Sequence, residues 1–353
     1  MTIFFLAFVA AVALFLQHRL TSGGLDHLDG EHCPDRQIVD PGEEFCIDVT
    51  LQNKSRRFVP FLRVREQLPE GLQATADTRI VEEHAVRYAA FTSWLRPRQQ
   101  MVFHIPVSAA ARGRYALQQL LLCSGDFLGL KEQSKECGHF NEVVVAPKEA
   151  PSMQLNALMG GFMGEMSVRR FILEDPVLTL GYREYTGQEP MKTISWTQSA
   201  RGMGLMVKKN DYTVEPSVAV LLNVETGRDE KSELLERCFS LARTVCGMLE
   251  KQGIKYSFTT NAALAGDFTS VQTGEGLGRH HYYSILEQLG RATYISHTPA
   301  KTLLTREARR PTAAGRIFIT PCEDESYAQE LNHLRESAGD SLLVLRASEV
   351  DEW

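Results

Sequence analysis

The sequence predicts a β-sandwich plus α/β chain: an N-terminal membrane helix, an immunoglobulin-like antiparallel sandwich, then a doubly wound parallel sheet. Three observations predict it. Ile3 to Leu16 is unbroken apolar sequence. Residues 31–148 repeat short runs in which apolar and polar side chains alternate, the period of a half-buried strand. From Ser217 onward, continuous apolar runs alternate with helical periodicity, as in a parallel sheet with crossover helices. The 353 residues exceed one ordinary domain, and a hydrophobic content of 43% can fill more than one core.

The membrane helix, residues 1–20, rests on length and charge. The uncharged run Met1 to Gln17 would span about 25 Å at roughly 1.5 Å per residue. That is slightly short of a ~30 Å hydrocarbon core, a gap that a thinned bilayer and a snorkelling Arg19 close. No Lys or Arg precedes the run, whereas a cleaved signal peptide carries one there, so a retained anchor is expected over a cleaved signal or a buried core helix. His18 and Arg19 follow it, and the positive-inside rule then sets the N-terminus outside and the body in the cytoplasm. Seven cysteines without a C-x-x-C pair fit reduced thiols there.

The sandwich is expected over 30–147. Phe45 to Leu51 alternates between the turn residues Pro41-Gly42 and Asn53-Lys54-Ser55, and Phe61 to Gln67 ends at Leu68-Pro69-Glu70-Gly71. Met101–Val107, Tyr115–Cys123 and Glu142–Val145 supply three further strands. Residues 148–215 read as a connector, in which Met159-Gly160-Gly161-Phe162-Met163-Gly164 is expected to be a loop. A phosphate cradle there would need a preceding strand and a following G-K-S/T, and has neither.

Residues 216–353 carry the parallel sheet. Val218–Leu222 is apolar throughout, as a buried parallel strand should be. A helix follows over Asp229–Lys251, with Leu234, Leu235, Cys238, Leu241, Ala242, Val245 and Leu249 at three- and four-residue spacing. Then come a strand at Tyr256–Thr259, a helix from about Tyr282 to Leu289, a strand at Arg316–Thr320, a helix over Glu325–Glu336 and a strand at Ser341–Leu345. His280-His281 reads as a loop before the second of these helices. The net charge of −6 and a pI near 6.0 show no extended basic field, which argues against nucleic acid or an anionic-lipid surface as the main partner.

The segment Leu180-Gly181-Tyr182-Arg183-Glu184-Tyr185-Thr186-Gly187-Gln188-Glu189-Pro190, then Ile194-Ser195-Trp196-Thr197-Gln198-Ser199-Ala200-Arg201 and Gly204-Leu205-Met206-Val207-Lys208-Lys209, resembles the signature of a bacterial family, domain of unknown function 58. Its members read R-E-Y-x-x-G-D, then I-x-W-x-x-S-A-R and a strand ending in charged residues. Here Gly187-Gln188 stands where the family has Gly-Asp. Arg112-Gly113-Arg114-Tyr115, Asp126-Phe127-Leu128-Gly129-Leu130 and Val143-Val144-Val145-Ala146-Pro147 look like the approach to that signature. The resemblance implies a membrane-tethered protein whose last domain is von Willebrand A-like, in the company of a MoxR-type AAA+ ATPase; with the one apolar run of this chain, a single pass through the bacterial inner membrane is expected.

It also implies where an ion would sit. Metal-binding relatives carry D-x-S-x-S after the first strand, a hard oxygen site for Mg²⁺. Asn223-Val224-Glu225-Thr226-Gly227 replaces it here, so Asn223, Glu225 and Asp324 form only a degenerate candidate site, and no metal or cofactor is expected. Arg183, Glu184, Tyr185, Trp196 and Arg201 are the candidates for partner binding or domain docking, with Lys192 beside them. If Lys192–Arg201 is helical, Trp196 and Ala200 pack inward and Arg201 can pair with Glu184. No Ser, Cys or His has the base and orienting group of a triad, so an enzyme is not expected. The expected function is a membrane-tethered interaction or assembly factor. The alternatives are a metal-dependent adhesion module on the periplasmic side and, behind it, an envelope-processing enzyme.

Overall fold

The computed structural model describes Phe4, Phe5, Phe8 and residues 25–75, 78–125, 132–150, 152–172, 179–187, 189–202, 204–210, 217–226, 232–266, 272–310, 315–321, 325–338 and 341–350. Phe4, Phe5 and Phe8 are helical and exposed, and the rest of the expected membrane helix lies outside the described residues. Among the described residues no helix is long and apolar enough to cross a membrane. The chain divides into two compact units, Met1–Lys148 with Leu289–Arg291, and Glu149–Gln288 with Ala292–Trp353.

The first unit is a β-sandwich. In chain order its strands are β1 Leu28–Pro34, β2 Ile38–Val39, β3 Glu44–Asn53, β4 Val59–Leu68, β5 Leu72–Ala74, β6 Ile80–Glu83, β7 Val86–Leu95, β8 Gln100–Ala109, β9 Gly113–Leu117, β10 Leu120–Gly125, β11 Glu132–Cys137 and β12 Asn141–Val145. They form sheets of order β1-β3-β8-β5, β11-β10-β4-β7-β6 and β2-β12-β9. The period-two pattern sends Phe45, Ile47, Val49 and Leu51 of β3, and Leu62 and Val64 of β4, into one shared core. Each such side chain contributes about 1.5–3 kcal/mol on burial, so the alternation itself selects the face each strand turns inward.

Two features depart from expectation. The run Tyr115–Cys123 is two strands, β9 and β10, in different sheets. Tyr115 and Leu117 enter the core at odd positions and Leu120 and Leu122 at even ones, so the chain shifts phase at Gln118-Gln119. The β6–β7 hairpin was hidden because its two-residue loop, His84-Ala85, takes positive φ (50° and 64°) without the Gly or Asn that marks such turns.

A buried polar pair bridges β1 and β4. His32 Nδ1 lies 2.9 and 3.0 Å from the Glu66 carboxylate oxygens, and its Nε2–H donates to the His139 carbonyl at 2.7 Å. Both side chains are fully buried. Gly138, at φ +93°, lets the backbone pass over the ring, since a Cβ there would come within 3.2 Å of it. Because a carbonyl only accepts, Nε2 carries a proton, and Nδ1 and the carboxylate share a second.

The second unit opens with helix α1, Met153–Ile172, which occupies the place of the expected Met159–Gly164 loop. Ser152 begins it, with its Oγ accepting from Leu155 N–H at 3.4 Å. Leu155, Met159, Phe162 and Met166 form a buried stripe at helical spacing, and a Cβ at Gly315 would meet both Phe162 and Met166 at 2.7 Å. Each helical glycine costs about 1 kcal/mol relative to alanine, whereas four buried apolar side chains contribute about 1.5–3 kcal/mol apiece, so burial wins over propensity.

Beyond α1 lie β13 Thr179–Glu184, a single turn α2 Trp196–Ser199, β14 Met206–Asn210, β15 Ser217–Leu222, α3 Ser232–Lys251, β16 Lys255–Thr260, β17 Ala262–Leu264, β18 Gln272–Gly276, α4 Arg279–Arg291, β19 Ala292–Ser296, α5 Ala300–Ala308, β20 Gly315–Thr320, α6 Ala328–Ala338 and β21 Leu342–Arg346. The main sheet has the order β18-β16-β15-β20-β21, parallel except for the antiparallel edge strand β18. Every residue of β15 and β20 is buried, so both faces are covered. One face packs Leu221 and Phe318 against Leu303, Leu304 and Leu334 of α5 and α6. Helix α3 lies against β15, β16 and β20, burying Leu235, Cys238, Leu241, Ala242, Val245 and Leu249. His280 and His281 sit within α4, not in a loop: Gly278, at φ +106°, starts the helix earlier than its apolar periodicity indicates. His281 Nε2–H donates to the Tyr256 carbonyl at 2.8 Å.

The His32–Glu66 pair sets a pH dependence. Glu66 and the His139 carbonyl hold His32 above its ordinary value of 6.5 in spite of the opposing effect of burial. The folded state therefore keeps a proton that the unfolded chain releases, and this stability, full below pH 6.5, declines as pH rises through the raised value. Glu66→Ala should destabilise by about 3–5 kcal/mol, because it leaves half of a buried pair, while His32→Leu with Glu66→Met should cost far less. Urea unfolding between pH 6 and 9 checks both, with the alkaline decline expected to vanish in the double variant.

Candidate functional site

The signature residues of the second unit form a small hairpin. β13 and β14 pair antiparallel, with Arg183 opposite Val207 and Glu184 opposite Met206. Ile194 bridges Val207, and Ser195 N–H donates to Met206 O at 2.8 Å. This pulls Ile194 and Ser195 into extended backbone, so Lys192–Arg201 is not one helix but a 3₁₀ turn at Met191–Thr193 followed by the single turn α2. Ser199 ties that turn down: its hydroxyl donates to Ser195 O at 2.8 Å and accepts from Met206 N–H at 2.9 Å. Ile194 and Val207 are buried by this arrangement.

Trp196 is not buried, which corrects the inward packing expected of it. Its indole is 62% exposed, Ala200 is exposed too, and Tyr182, Met191 and Leu205 add further exposed apolar surface. Arg183, Glu184, Lys192 and Arg201 are exposed, and Tyr185 is half-buried. Among the described residues Arg201 reaches Gln198 Oε1 at 3.5 Å and forms no pair with Glu184. The break at Ile194 cuts Lys192 off from this turn, while Trp196 and Ala200 stay one turn apart, joined by Ala200 N–H donating to Trp196 O at 3.0 Å, and both face solvent.

Arg183 finds a carboxylate in the turn that follows β13. Gln188 lies outside the described residues, and Glu189 pairs with Arg183 while accepting from Thr186 N–H at 3.1 Å and Thr186 Oγ1 at 2.9 Å. Burial works against ionisation, but the Thr186 and Arg183 hydrogen bonds prevail and hold Glu189 down at about 2. Gly187, at φ +91°, makes the turn that brings Glu189 back onto Arg183. Sequence reasoning passed over Glu189; its place beside the substituted position was the available signal.

The second candidate region is the carboxyl end of the parallel strands, where ligands of such sheets bind. Asn223, which follows β15, is fully buried. Its Oδ1 accepts from Glu225 N–H at 2.9 Å and from Asn261 Nδ2 at 2.7 Å, and its Nδ2 donates to Thr320 Oγ1 at 3.2 Å. Asn261 Oδ1 accepts from Val224 N–H at 2.9 Å, and Thr320 Oγ1 is 2.9 Å from the Tyr327 hydroxyl. Neutral groups thus satisfy one another at the tips of β15, β16 and β20. Glu225 turns elsewhere, accepting from Ala300 N–H at 2.6 Å at the start of α5, where the helix dipole favours a carboxylate. Asp324 lies outside the described residues, and among the described residues no cluster of three His, Cys, Asp or Glu could hold a metal. The described cysteines, at 33, 46, 123, 137, 238 and 246, form no disulfide.

A cleft of about 580 Å³ also opens along α1, lined by Ala157, Leu158, Gly161 and Phe162 with Leu342 and Leu343, and with Glu165 and Arg335 at its edge. It was invisible in the sequence because α1 read as a loop.

No family model and no curated protein matches this chain. Among solved structures it is similar to a CARDB domain from Pyrococcus furiosus in complex with di-metal ions, at 17% identity over 33% of this chain and 91% of that one, with a TM-score of 0.23. A non-cellulosomal cohesin from Archaeoglobus fulgidus is similar at 11% identity over 33% of this chain and 91% of its own, with a TM-score of 0.23. The sporulation control protein Spo0M from Bacillus subtilis is similar at 15% identity over 45% of this chain and 58% of its own, with a TM-score of 0.20. Similarities of this size carry no functional weight.

The Asn223 network predicts a graded response. Asn223→Leu orphans Glu225 N–H and the Asn261 amide and should cost about 1–3 kcal/mol for each group left unpaired. Asn223→Asp should cost less, since Thr320 can turn its hydroxyl to donate and accept from Tyr327 instead. Denaturation midpoints of the two variants decide between this ordering and a network of no energetic consequence.

Proposed function

We propose that this protein is a membrane-tethered interaction or assembly factor whose second unit is a von Willebrand A-like domain with its ion position filled, working with a MoxR-type AAA+ ATPase at the bacterial inner membrane. The apolar segment 1–20 is its contact with the bilayer, in a single pass, and the body lies in the cytoplasm. One observation supports a binding role best: the signature presents Trp196 to solvent on a backbone held at both ends by hydrogen bonds. Exposed Trp, Tyr and Arg on a rigid support are what interface anchors consist of, because little ordering entropy is lost when a partner covers them. The Asn223 network supports binding without an ion, since the position where relatives hold one is occupied by amides and hydroxyls.

Trp196→Ala and Arg201→Ala should leave thermal stability within about 0.5 kcal/mol, the usual range for surface substitutions, while weakening association with a MoxR-type ATPase from the same genome. Detergent-solubilised full chain and ATPase, followed by light scattering and titration, report this. Unchanged affinity in both variants would dismiss the signature as the contact, and a large drop in melting temperature would mean that the indole supports the fold.

Titrating Mg²⁺ or Mn²⁺ into the full chain should give no saturable heat up to about millimolar levels, and the ATPase association should survive EDTA. A one-to-one isotherm lost in Glu225→Ala would instead favour the adhesion reading.

A further inference from the structure

The end of the sandwich at which β1 begins carries a basic and aromatic surface that the net charge of −6 conceals. Leu28 pairs with Asn53, and Lys54 N–H donates to His27 O at 2.9 Å, so the β3–β4 turn lies where the chain enters the fold. Asn53, fully buried, joins this turn to the β7–β8 turn by donating Nδ2 to Arg57 O at 2.8 Å and to Arg96 O at 3.0 Å. Arg98, at φ +56°, donates its N–H to Ser55 O at 3.1 Å and closes the join. The two turns are therefore one built platform.

What the platform presents is consistent in kind. Arg56, Arg57, Arg96 and Arg98 are exposed on it. Phe58, Phe61 and Trp94 are exposed beside them, with Phe58 and Trp94 ring centroids 5.9 Å apart and the Arg96 guanidinium 5.3 Å from the Trp94 ring. Among the residues whose side chains are described, Asp29 is paired with Lys54 and Lys135, and Asp26 and Glu31 are the further acids of this end. Among those described residues the exposed Arg56, Arg96 and Arg98 outnumber the two acids.

We propose that this end of the sandwich rests on an anionic lipid surface, with the arginines on headgroup phosphates and the aromatic rings at headgroup depth. Amphipathic rings prefer that depth, and arginines within a Debye length of an anionic leaflet are drawn to it. Connectivity selects a bilayer over other anions. Residues 18–24 separate the uncharged segment Met1–Gln17 from Leu25, and seven residues reach at most about 25 Å, so a bilayer entered by that segment lies within reach of the platform. This inference rests on the tether reading.

The full chain carrying Trp196→Phe and Trp353→Phe, so that Trp94 alone reports, is reconstituted into brominated vesicles of phosphatidylcholine with or without phosphatidylglycerol. Trp94 emission should be quenched in the anionic vesicles, far less in the neutral ones, and progressively less as salt shortens the Debye length. Arg96→Gln with Arg98→Gln should lower the equilibrium constant for the quenched state about 25-fold, from roughly fivefold per positive charge removed at an anionic leaflet. The salt series on the chain that keeps both arginines gives the same reading should that variant fold poorly. Co-flotation with both vesicle types while Trp94 stays unquenched overturns this proposal and leaves the tether standing. Failure to co-float with either overturns both. Equal quenching in the two compositions overturns the anionic requirement, and a Trp94 shift with a single-stranded oligonucleotide but none with anionic vesicles reassigns the platform to nucleic acid.

Discussion

Asn223 ties together three strand tips of the second unit. It stands at the tip of the central strand β15, where a parallel sheet leaves strand ends facing a crevice, and it has no exposed surface. A buried amide must be satisfied or it costs the desolvation of each orphaned group. The neighbouring strand tips answer with Asn261 and Thr320, and Tyr327 completes the set. Once these groups bond to one another, a cation would have to break hydrogen bonds to gain neutral ligands. With Asn223 bonded to these tips, Glu225 turns to cap α5.

A comparable logic runs through the signature hairpin. Arginine at position 183 calls for a carboxylate, and with glutamine at 188 the chain supplies Glu189 through the turn at Gly187. Arg183 is thereby partly neutralised, whereas Trp196, Lys192 and Arg201 stay exposed.

In the sandwich, His32 and Glu66 place a shared proton within an otherwise apolar core, with the His139 carbonyl fixing the tautomer. Such a pair is weak evidence for stability, since apolar replacements of the same volume often do as well. Its value here lies in register: a one-residue slip of β1 would turn His32 outward and leave Glu66 buried alone.

Read alone, the sequence determined the elements whose periodicity is strong. β3, β4, β8, β15, β20 and α3 announce themselves because burial on one face, or on both, repeats at a fixed interval, and the free energy of burial scales with that repetition. It also singled out Asn223 and Glu225, which the structure places just beyond the tip of β15. What only the tertiary structure decided are outcomes set by partners distant in sequence. Helix α1 forms despite its glycines because Gly315, some 150 residues away, makes room for Phe162 and Met166. Trp196 faces solvent because Ile194 is captured by Val207, which breaks the helix that would have turned the indole inward. The basic platform exists because Asn53 joins two turns more than 40 residues apart, and a summed charge of −6 averages over such proximity. Local periodicity is written along the chain, whereas these results depend on which distant residue occupies the space next to a side chain, and that is settled only when the chain packs.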